Sequence, residues 1–333
     1  MINDIRDYKQ FKLKTFSGYK KSDVKQAFYK SLDSKNMEST CNWLLEYILS
    51  GYIIESWELI CLYYSQFVNI NNPLLLDYIY KKNKQFKFFH LGLSNDKCIE
   101  LRNNQNIIHF MISTVVCIKQ TTLNIKYTIP KIKIEDFKLC NLQMKLHSQM
   151  NILPDDIVRI NEPPELKLVM NEILYHLQSK LNTFDKISYW IYWILEWERI
   201  NHKNKIIWNL HERDVPVQDK YKCDVIWIIW DTIHLYVKNQ NKIIKKEYDI
   251  LYSFYCDSFD KSKKKKRLPY LLNIICICTA KRKNIPLYTN LSELLQAQCN
   301  YYSIIESKKI YERPSDDNIK TVLQNKILPK IKG

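Results

Sequence analysis

Apolar side chains recur every three or four residues along the first third of the chain, which is the spacing of one face of a helix. In the segment 22–32, for example, Val24, Phe28 and Leu32 fall on the same face. Gly51 follows the second such segment in the position that commonly ends a helix. The pattern predicts helices over 22–32, 37–50, 54–67, a stretch that begins at 72–73, and 99–118.

Three later segments are apolar on nearly every side, namely 187–200, 221–237 and 268–280. A helix without a polar face is normally packed on several sides, so we expect these three to form the core of a C-terminal lobe. The segment 268–280 is short and rich in Ile, and a buried strand is the alternative there. Amphipathic helices are predicted over 165–178 and 316–330.

The segment 119–133 interrupts the helical spacing. It is rich in β-branched residues and is followed by prolines, which favours extended structure and a short hairpin. The predicted fold class is therefore all-α (mainly), with two irregular helical lobes and a short extended connection. We place the lobes at 1–118 and 165–333 and the connection at 119–164.

The composition, 46% hydrophobic and 26% charged, excludes wholesale disorder. The ten cysteines lie mostly in apolar segments and form no C-x-x-C pair, which predicts buried, reduced thiols rather than a disulfide framework. The charged segment 1–7 lacks the apolar core of a secretory signal. No apolar run reaches the roughly 20 residues that a membrane span needs. These features predict an intracellular protein with no membrane partner.

The net charge of +16 is less informative than its size suggests. Of the 51 basic residues only eight are Arg, and Lys, Asn, Ile and Tyr are abundant while Gly is scarce. That is the bias of an A/T-rich genome, which raises the number of lysines everywhere. The distribution of the charge, rather than its total, must therefore indicate function.

The glycines exclude several common enzyme classes. There are four of them, and no two lie close enough to build a phosphate-binding loop or a dinucleotide fingerprint. A nucleophile elbow, an H-E-x-x-H zinc motif and a kinase signature are also absent from the sequence. The sequence favours a protein that is not an enzyme and that needs no cofactor.

One catalytic pattern remains as an alternative. Asp155, Glu165 and Lys167 occur in the order of a nuclease motif in which carboxylates hold a divalent ion and Lys orients the attacking water. The interpretation that we favour is that Glu165 stands in the first turn of a helix, where an acidic side chain is stabilising.

Two possible metal-binding sets have simpler explanations. His202, His211 and Cys223 are capable of binding zinc, but their spacing fits no standard module. Cys276 and Cys278 are two residues apart in a predicted helix, so they face different sides and burial explains them better. We therefore predict no metal site.

A first basic cluster surrounds the apolar segment 268–280. No Asp or Glu occurs between positions 261 and 283. The basic residues before and after the apolar segment are Lys261, Lys263, Lys264, Lys265, Lys266, Arg267, Lys281, Arg282 and Lys283. Lysines of this kind neutralise phosphates without reading bases, so the cluster is predicted to bind nucleic acid.

A second basic cluster alternates with aromatic residues. Its lysines are Lys81, Lys82, Lys84 and Lys87, and the aromatics between and beside them are Tyr80, Phe86, Phe88 and Phe89. Exposed rings beside cations suit base stacking together with phosphate contact. The alternative for both clusters is a solvated, lysine-rich surface produced by the codon bias.

Several stretches together resemble a known group of proteins. They are 15–24, 43–51 with Trp57, 188–197 with 222–230, and 263–270. The combination resembles uncharacterised helical proteins encoded by nucleocytoplasmic large DNA viruses, the giant-virus group, over most of the chain. The resemblance implies a viral gene product that acts in the host cell cytoplasm or viral factory, with the virion as an alternative. It implies no catalytic activity.

Our leading hypothesis is a non-enzymatic protein that binds nucleic acid, or a viral nucleoprotein complex, in replication, transcription or packaging. The main rival is a helical structural or adaptor protein that docks other viral proteins. A metal-dependent nuclease is a third hypothesis. Fold alone does not separate the three, because one fold can serve many functions.

Overall fold

The computed structural model describes residues 1–34, 36–67, 73–94, 96–121, 128–179, 183–280 and 290–313. Within these ranges the chain forms helices and no β-strand, which confirms the all-α prediction. The α-helices are α1 (Lys21–Asp33), α2 (Met37–Leu49), α3 (Ile53–Phe67), α4 (Pro73–Phe89), α5 (Gln105–Lys119), α6 (Leu139–Gln143), α7 (Pro164–Gln178), α8 (Phe184–Lys203), α9 (Val225–Val237), α10 (Lys242–Cys256), α11 (Lys263–Lys266), α12 (Leu268–Thr279) and α13 (Leu291–Lys308).

Short polar side chains begin five of these helices. Each accepts a hydrogen bond from a backbone N–H of the first turn, which has no partner inside the helix. These N-caps are Asn36 of α2, Asn104 of α5, Asp224 of α9, Asn241 of α10 and Asn290 of α13. Local sequence therefore defines where these helices start.

Gly51 ends α2 in the way its sequence position predicts. Its backbone has φ +79°, which residues with a side chain rarely adopt. The N–H of Gly51 donates to the carbonyl of Ile48, and the N–H of Tyr52 donates to that of Tyr47. A Cβ at position 51 would also lie 3.1 Å from the Cβ of Ile99. Both the turn and the close contact therefore favour glycine.

The chain divides into two compact units, and the first unit contains the described parts of 1–64, 77–123 and 286–333. Helix α2 is central to it, because α1, α5 and α13 all pack against α2. The side chains of Leu44 and Ile48 are completely buried there. Burial of such apolar faces provides most of the stabilisation of helices of this length.

Helix α13 belongs to the first unit, although the predicted C-terminal lobe 165–333 contained it. It was not predicted as a helix, yet Ala297, Tyr301 and Ile304 are buried at helical spacing. A buried ion pair also joins α13 to α2: the ammonium of Lys308 lies 2.6 Å from Oε2 of Glu46. A long-range contact of this kind leaves no signal in the local pattern.

The second unit contains the described parts of 65–76 and 124–285. Helix α7 packs against α8 and α9, and α12 packs against α7, α8 and α10. Helices α8, α9 and α12 are the three that the apolar segments predicted for the core. Two observations confirm that prediction. The segment 268–280 forms a helix rather than a strand, and four tryptophans of α8 and α9 are fully buried, namely Trp190, Trp193, Trp227 and Trp230.

The connection between the predicted lobes is only partly described. Helix α5 continues to Lys119, and residues 128–133 form no regular element. A 3-10 helix (Ile134–Phe137) and α6 follow, so the described part of the connection contains short helices. The predicted hairpin falls largely on 122–127 and the predicted last helix on 316–330, and both lie outside the described residues.

The cysteines form no disulfide, and six of the ten are buried. Burial raises the pKa of the Cys41 thiol to about 11, which keeps it protonated and poorly nucleophilic at neutral pH. Among the helices that the structure describes, none has the length and apolarity to cross a bilayer.

Candidate functional site

Lys264, in the middle of the first basic cluster, is buried. Its side chain is 8% exposed, and its ammonium lies 2.5 Å from Oδ1 of Asp224 and 2.7 Å from Oε2 of Glu198. The side chain therefore connects α11 to α8 and to the residue that caps α9. A lysine that is buried between two carboxylates is not available to a phosphate, and this corrects its predicted role.

Arg267 is also buried. One of its guanidinium nitrogens donates to the carbonyl of Tyr255 at 2.9 Å and to the carbonyl of Asp257. These carbonyls end α10, where a cation is stabilising. Arg267 thus binds the carbonyls at the end of α10, and the prediction that it contacts nucleic acid is corrected, because it is buried.

The other residues of this cluster are exposed, half-buried or outside the part of the chain that the structure describes. Lys261, Lys265 and Lys266 are exposed, and Lys263 is half-buried with its ammonium 3.1 Å from the carbonyl of Ser258. The predicted residues Lys281, Arg282 and Lys283 lie outside the described residues. Three exposed lysines therefore remain in the described part of the cluster, and we name them the α11 patch.

The substitution Lys264→Met should lower the free energy of unfolding by about 2–3 kcal/mol, since it leaves Asp224 and Glu198 without their counter-ion. The effect is smaller than for a fully buried pair because the Glu198 side chain is 33% exposed. Lys265→Met, one residue away on the exposed side, is the matched control and should change stability by less than about 0.5 kcal/mol. Urea unfolding followed by circular dichroism measures both, and equal effects would contradict the structural role of Lys264.

The second basic cluster lies on α4, and most of its aromatic rings are packed rather than exposed. Phe86 is buried and stacks on Trp57 with ring centroids 5.0 Å apart. Phe89 lies edge-on to Phe110 at 5.3 Å. The predicted role of base stacking is therefore wrong for Phe86, which belongs to the core.

Lys82 faces the packed side of the helix. Its ammonium lies 4.6 Å from the centre of the Phe110 ring, and burial lowers its pKa. The favourable interaction of a cation with a ring face accounts for this position. Lys82 thus contributes to packing more than to the surface.

The opposite side of α4 is exposed and positively charged. It carries Lys81, Lys84 and Lys87 together with Phe88, whose side chain is 77% exposed. Positions 81, 84 and 88 are three and seven residues apart, so they share one side of the helix over about 10 Å. No Asp or Glu occurs between positions 78 and 95. We name these four residues the α4 basic face.

The nuclease-like residues do not form a catalytic centre among the described residues. Glu165 stands in the first turn of α7, which confirms the favoured interpretation. Lys167, on the same helix, donates to Oδ1 of Asp155 at 2.6 Å, and this hydrogen bond lowers the pKa of the Asp155 carboxyl. The two carboxylates do not come together with a third ligand to hold an ion.

The structure brings together a different set of metal-binding side chains. His202, His211 and Cys223 do not meet, and the Nε2 atom of His211 lies instead 2.8 Å from the carbonyl oxygen of Ile160. One group of three potential ligands is found in the described part of the chain, formed by His147, Glu172 and His176. The sequence showed a partial signal for it, since positions 172 and 176 are four residues apart on one helix.

A pocket of about 430 Å³ lies beside this group. Its wall includes Ser148 and three side chains of α7, namely Lys167, Asn171 and Glu172. The amide of Asn171 holds the pocket rim in place, because it accepts from the backbone N–H of Ile152 and donates to the hydroxyl of Ser148. The pocket is thus formed between α7 and the irregular segment before it.

Comparison with known proteins adds no assignment: no family model, curated protein or solved structure matches the chain.

Proposed function

We propose that the protein binds single-stranded nucleic acid through the α4 basic face, without catalysing a reaction on it. The observation that carries this proposal is the combination of exposed Lys81, Lys84 and Lys87 with an exposed Phe88 on a helix side that has no acidic neighbour along the sequence. A single exposed Phe is not unusual by itself, so the proposal depends on its position among exposed cations, where its ring can stack on a base while the lysines contact phosphates.

Each part of this face matches one part of a single strand. The ammonium groups suit phosphates, which any sequence presents, and the ring of Phe88 offers a stacking surface to an unpaired base. Lysines on flexible stems form point contacts rather than the bidentate contacts that read base edges. We therefore expect tight binding at low salt and little preference for sequence.

The α11 patch is proposed as an additional phosphate-contacting surface. Lys261, Lys265 and Lys266 are exposed, whereas the nearby rings of Phe259 and Tyr270 are buried. This patch therefore provides charge without stacking. The biological setting that we propose, viral replication, transcription or packaging, follows from the family resemblance and goes beyond the geometry.

The salt dependence of binding tests the α4 basic face directly. We expect the triple substitution of Lys81, Lys84 and Lys87 by Gln to make the slope of log affinity against log salt shallower by about 2, since each lost contact on single strands is worth about 0.7. Fluorescence anisotropy with unrelated labelled oligonucleotides measures the slope. The control removes three other exposed charges of the first unit, Lys12, Lys25 and Lys30, and should leave the slope unchanged.

Phe88→Ala separates stacking from charge. Affinity should fall by about 1–3 kcal/mol for single strands, while the salt slope should stay the same because no phosphate contact is lost. Wild-type protein that does not bind at low salt, or a triple variant that binds with an unaltered slope, would refute the proposal. The exposed Phe88 would then favour the rival hypothesis of a protein-docking adaptor.

A further inference from the structure

We infer that His147, Glu172 and His176 bind one divalent metal ion of the zinc class. The candidate ligand atoms of the three side chains lie within 4.8 Å of one another. Two imidazole nitrogens and one carboxylate oxygen form a donor set that zinc uses in open sites, and it is unlike the all-oxygen sets of magnesium or calcium.

The two candidate ligand atoms on α7 already lie at the distance that a bound ion requires. The Nε2 atom of His176 lies 3.4 Å from Oε2 of Glu172. A tetrahedral zinc ion with bonds of about 2.0–2.2 Å holds two ligand atoms about 3.4 Å apart. Helix geometry produces this match, because residues four apart face the same way. Two of the three ligands are therefore positioned before any ion arrives.

His176 has an unsatisfied polar atom that points to a ligand. The residue is 1% exposed, yet its Nε2 atom makes no hydrogen bond, and its 3.4 Å contact with Oε2 of Glu172 is longer than the usual N–H···O distance. Buried polar atoms normally have a partner, and one without a partner requires an explanation. A metal ion bound by Nε2 supplies that partner.

Glu172 is held as an anion at the centre of the group. The Glu172 side chain is 2% exposed, and its carboxylate accepts hydrogen bonds from two backbone N–H groups, which favour its charged form. The N–H of Ser148 lies 2.8 Å from Oε1, and the N–H of His147 lies 3.1 Å from each oxygen. The charge that attracts a cation is thus fixed in position.

His147 is the ligand that adjusts on binding. Its Nδ1 atom lies 3.9 Å from Oε2 of Glu172 and 2.8 Å from the carbonyl oxygen of Lys145. The ion would replace that carbonyl as the partner of Nδ1, with the ring proton moving to Nε2. The side chain is 42% exposed, so water can solvate the carbonyl that is released.

The pocket beside Glu172 leaves room for the fourth ligand. Three protein ligands with an open position are typical of accessible zinc sites, in which water or a bound molecule completes the tetrahedron. Since Glu172 forms part of the pocket wall, a pocket water can reach the ion. The site that we infer is therefore open rather than a closed structural site.

Cobalt and zinc titrations of the full chain test the inference. Wild-type protein should bind one Co²⁺ with the visible bands of four-coordinate cobalt and without a sulfur-to-cobalt charge-transfer band, and Zn²⁺ should displace it. His147→Ala should weaken binding at least about tenfold, because one of three protein ligands is lost. His147 is half-exposed, so this variant should fold, and its circular dichroism spectrum confirms that it has.

His202→Gln is the matched control, since His202 is an exposed histidine of α8 outside the group. It should bind cobalt as tightly as the wild type. His176→Gln should weaken binding as His147→Ala does, if it folds. The inference fails if the wild type binds no cobalt at stoichiometric protein concentrations, or if His147→Ala binds as well as the wild type. A thiolate band would also overturn it, by showing that exposed cysteines are the ligands.

Discussion

Lys308→Met is expected to lower the free energy of unfolding by about 3–5 kcal/mol, because it leaves the carboxylate of Glu46 buried without its counter-ion. The Glu46 side chain is completely buried and the Lys308 side chain is 5% exposed. The backbone N–H and the hydroxyl of Ser17 each donate to Glu46 at 2.7 Å, but these hydrogen bonds do not neutralise its charge. Urea unfolding measures the loss.

Lys309→Met is the control for this prediction. Lys309 is the next residue along the chain, its side chain is 37% exposed, and its partner Glu306 is more exposed still. An ion pair at such a surface contributes little, so the change should be less than about 1 kcal/mol. The double substitution Glu46→Gln with Lys308→Met should recover part of the stability, because no buried charge is left. A double variant that is less stable than Lys308→Met would contradict this account.

The pH dependence gives an independent check. Burial raises the pKa of Glu46, but the ammonium of Lys308 and the hydrogen bonds to the carboxylate outweigh burial, so the pKa lies below its ordinary value of 4.5. The stability that Glu46 contributes is therefore present above pH 4.5 and is lost as the pH falls through the lowered pKa. In Lys308→Met the protonated carboxyl is the favoured form, so its stability deficit should shrink as the solution is acidified. Unfolding curves at neutral and acidic pH measure this difference.

Trp227→Ala should lower the free energy of unfolding by about 3–5 kcal/mol, which is the usual cost of removing a fully buried tryptophan. Trp227 has no exposed surface, and its ring lies 4.8 Å from that of Phe259 and 5.8 Å from that of Tyr255. Its indole N–H also donates to the carbonyl of Tyr221 at 2.7 Å. The cavity and the lost hydrogen bond act in the same direction.

Trp43→Ala is the comparison for Trp227→Ala, because Trp43 is only half-buried and packs edge-on against Tyr19. Trp43→Ala should lower the free energy of unfolding by clearly less than Trp227→Ala does. Hydrogen exchange can also locate each effect, since protection depends on local stability. Lys308→Met should speed exchange in α2 and α13, and Trp227→Ala should speed it in α9 and α10. Equal losses for the two tryptophans would contradict the burial argument.

Periodicity predicted the helices whose apolar positions are strictly spaced. The segments 37–50 and 54–67 correspond closely to α2 and α3, and Gly51 was recognised from its position alone. The apolar segment 268–280 was ambiguous between helix and strand until the structure showed α12. Local propensity does not decide short Ile-rich runs, because burial on all sides suits either element.

Besides the short α6 and α11, two long helices, α10 and α13, went unpredicted although their sequences contain a signal. Asn241 caps α10, and the buried residues Tyr248, Leu251 and Tyr255 of that helix are three and four apart. In α13 polar residues separate the buried positions, and one of the buried positions is itself occupied by a polar residue, Lys308. A lysine at a buried position weakens an apolar pattern, because its partner Glu46 is remote in the sequence and cannot be foreseen.

Local sequence also failed to show which residues of the candidate sites are buried by distant partners. Charge clustering singled out Lys81, Lys84 and Lys87, which are exposed on α4, but it counted Lys264 equally with Lys265 although Lys264 is buried. A lysine in a run has the same local sequence whether it faces water or a buried carboxylate. The group formed by His147, Glu172 and His176 was missed for a related reason, since His147 reaches the two residues of α7 only through an irregular segment.

The sequence by itself determined the helical fold class, most of the helices of the first half, and the three apolar helices of the second-unit core. These follow from hydrophobic spacing and caps, which act over a few neighbouring residues. Only the tertiary structure decided that α13 packs on α2, that Lys264 and Arg267 are buried, and that His147 meets Glu172 and His176. Each of these depends on groups far apart in the sequence, and their burial and pairing exist only once the chain has folded.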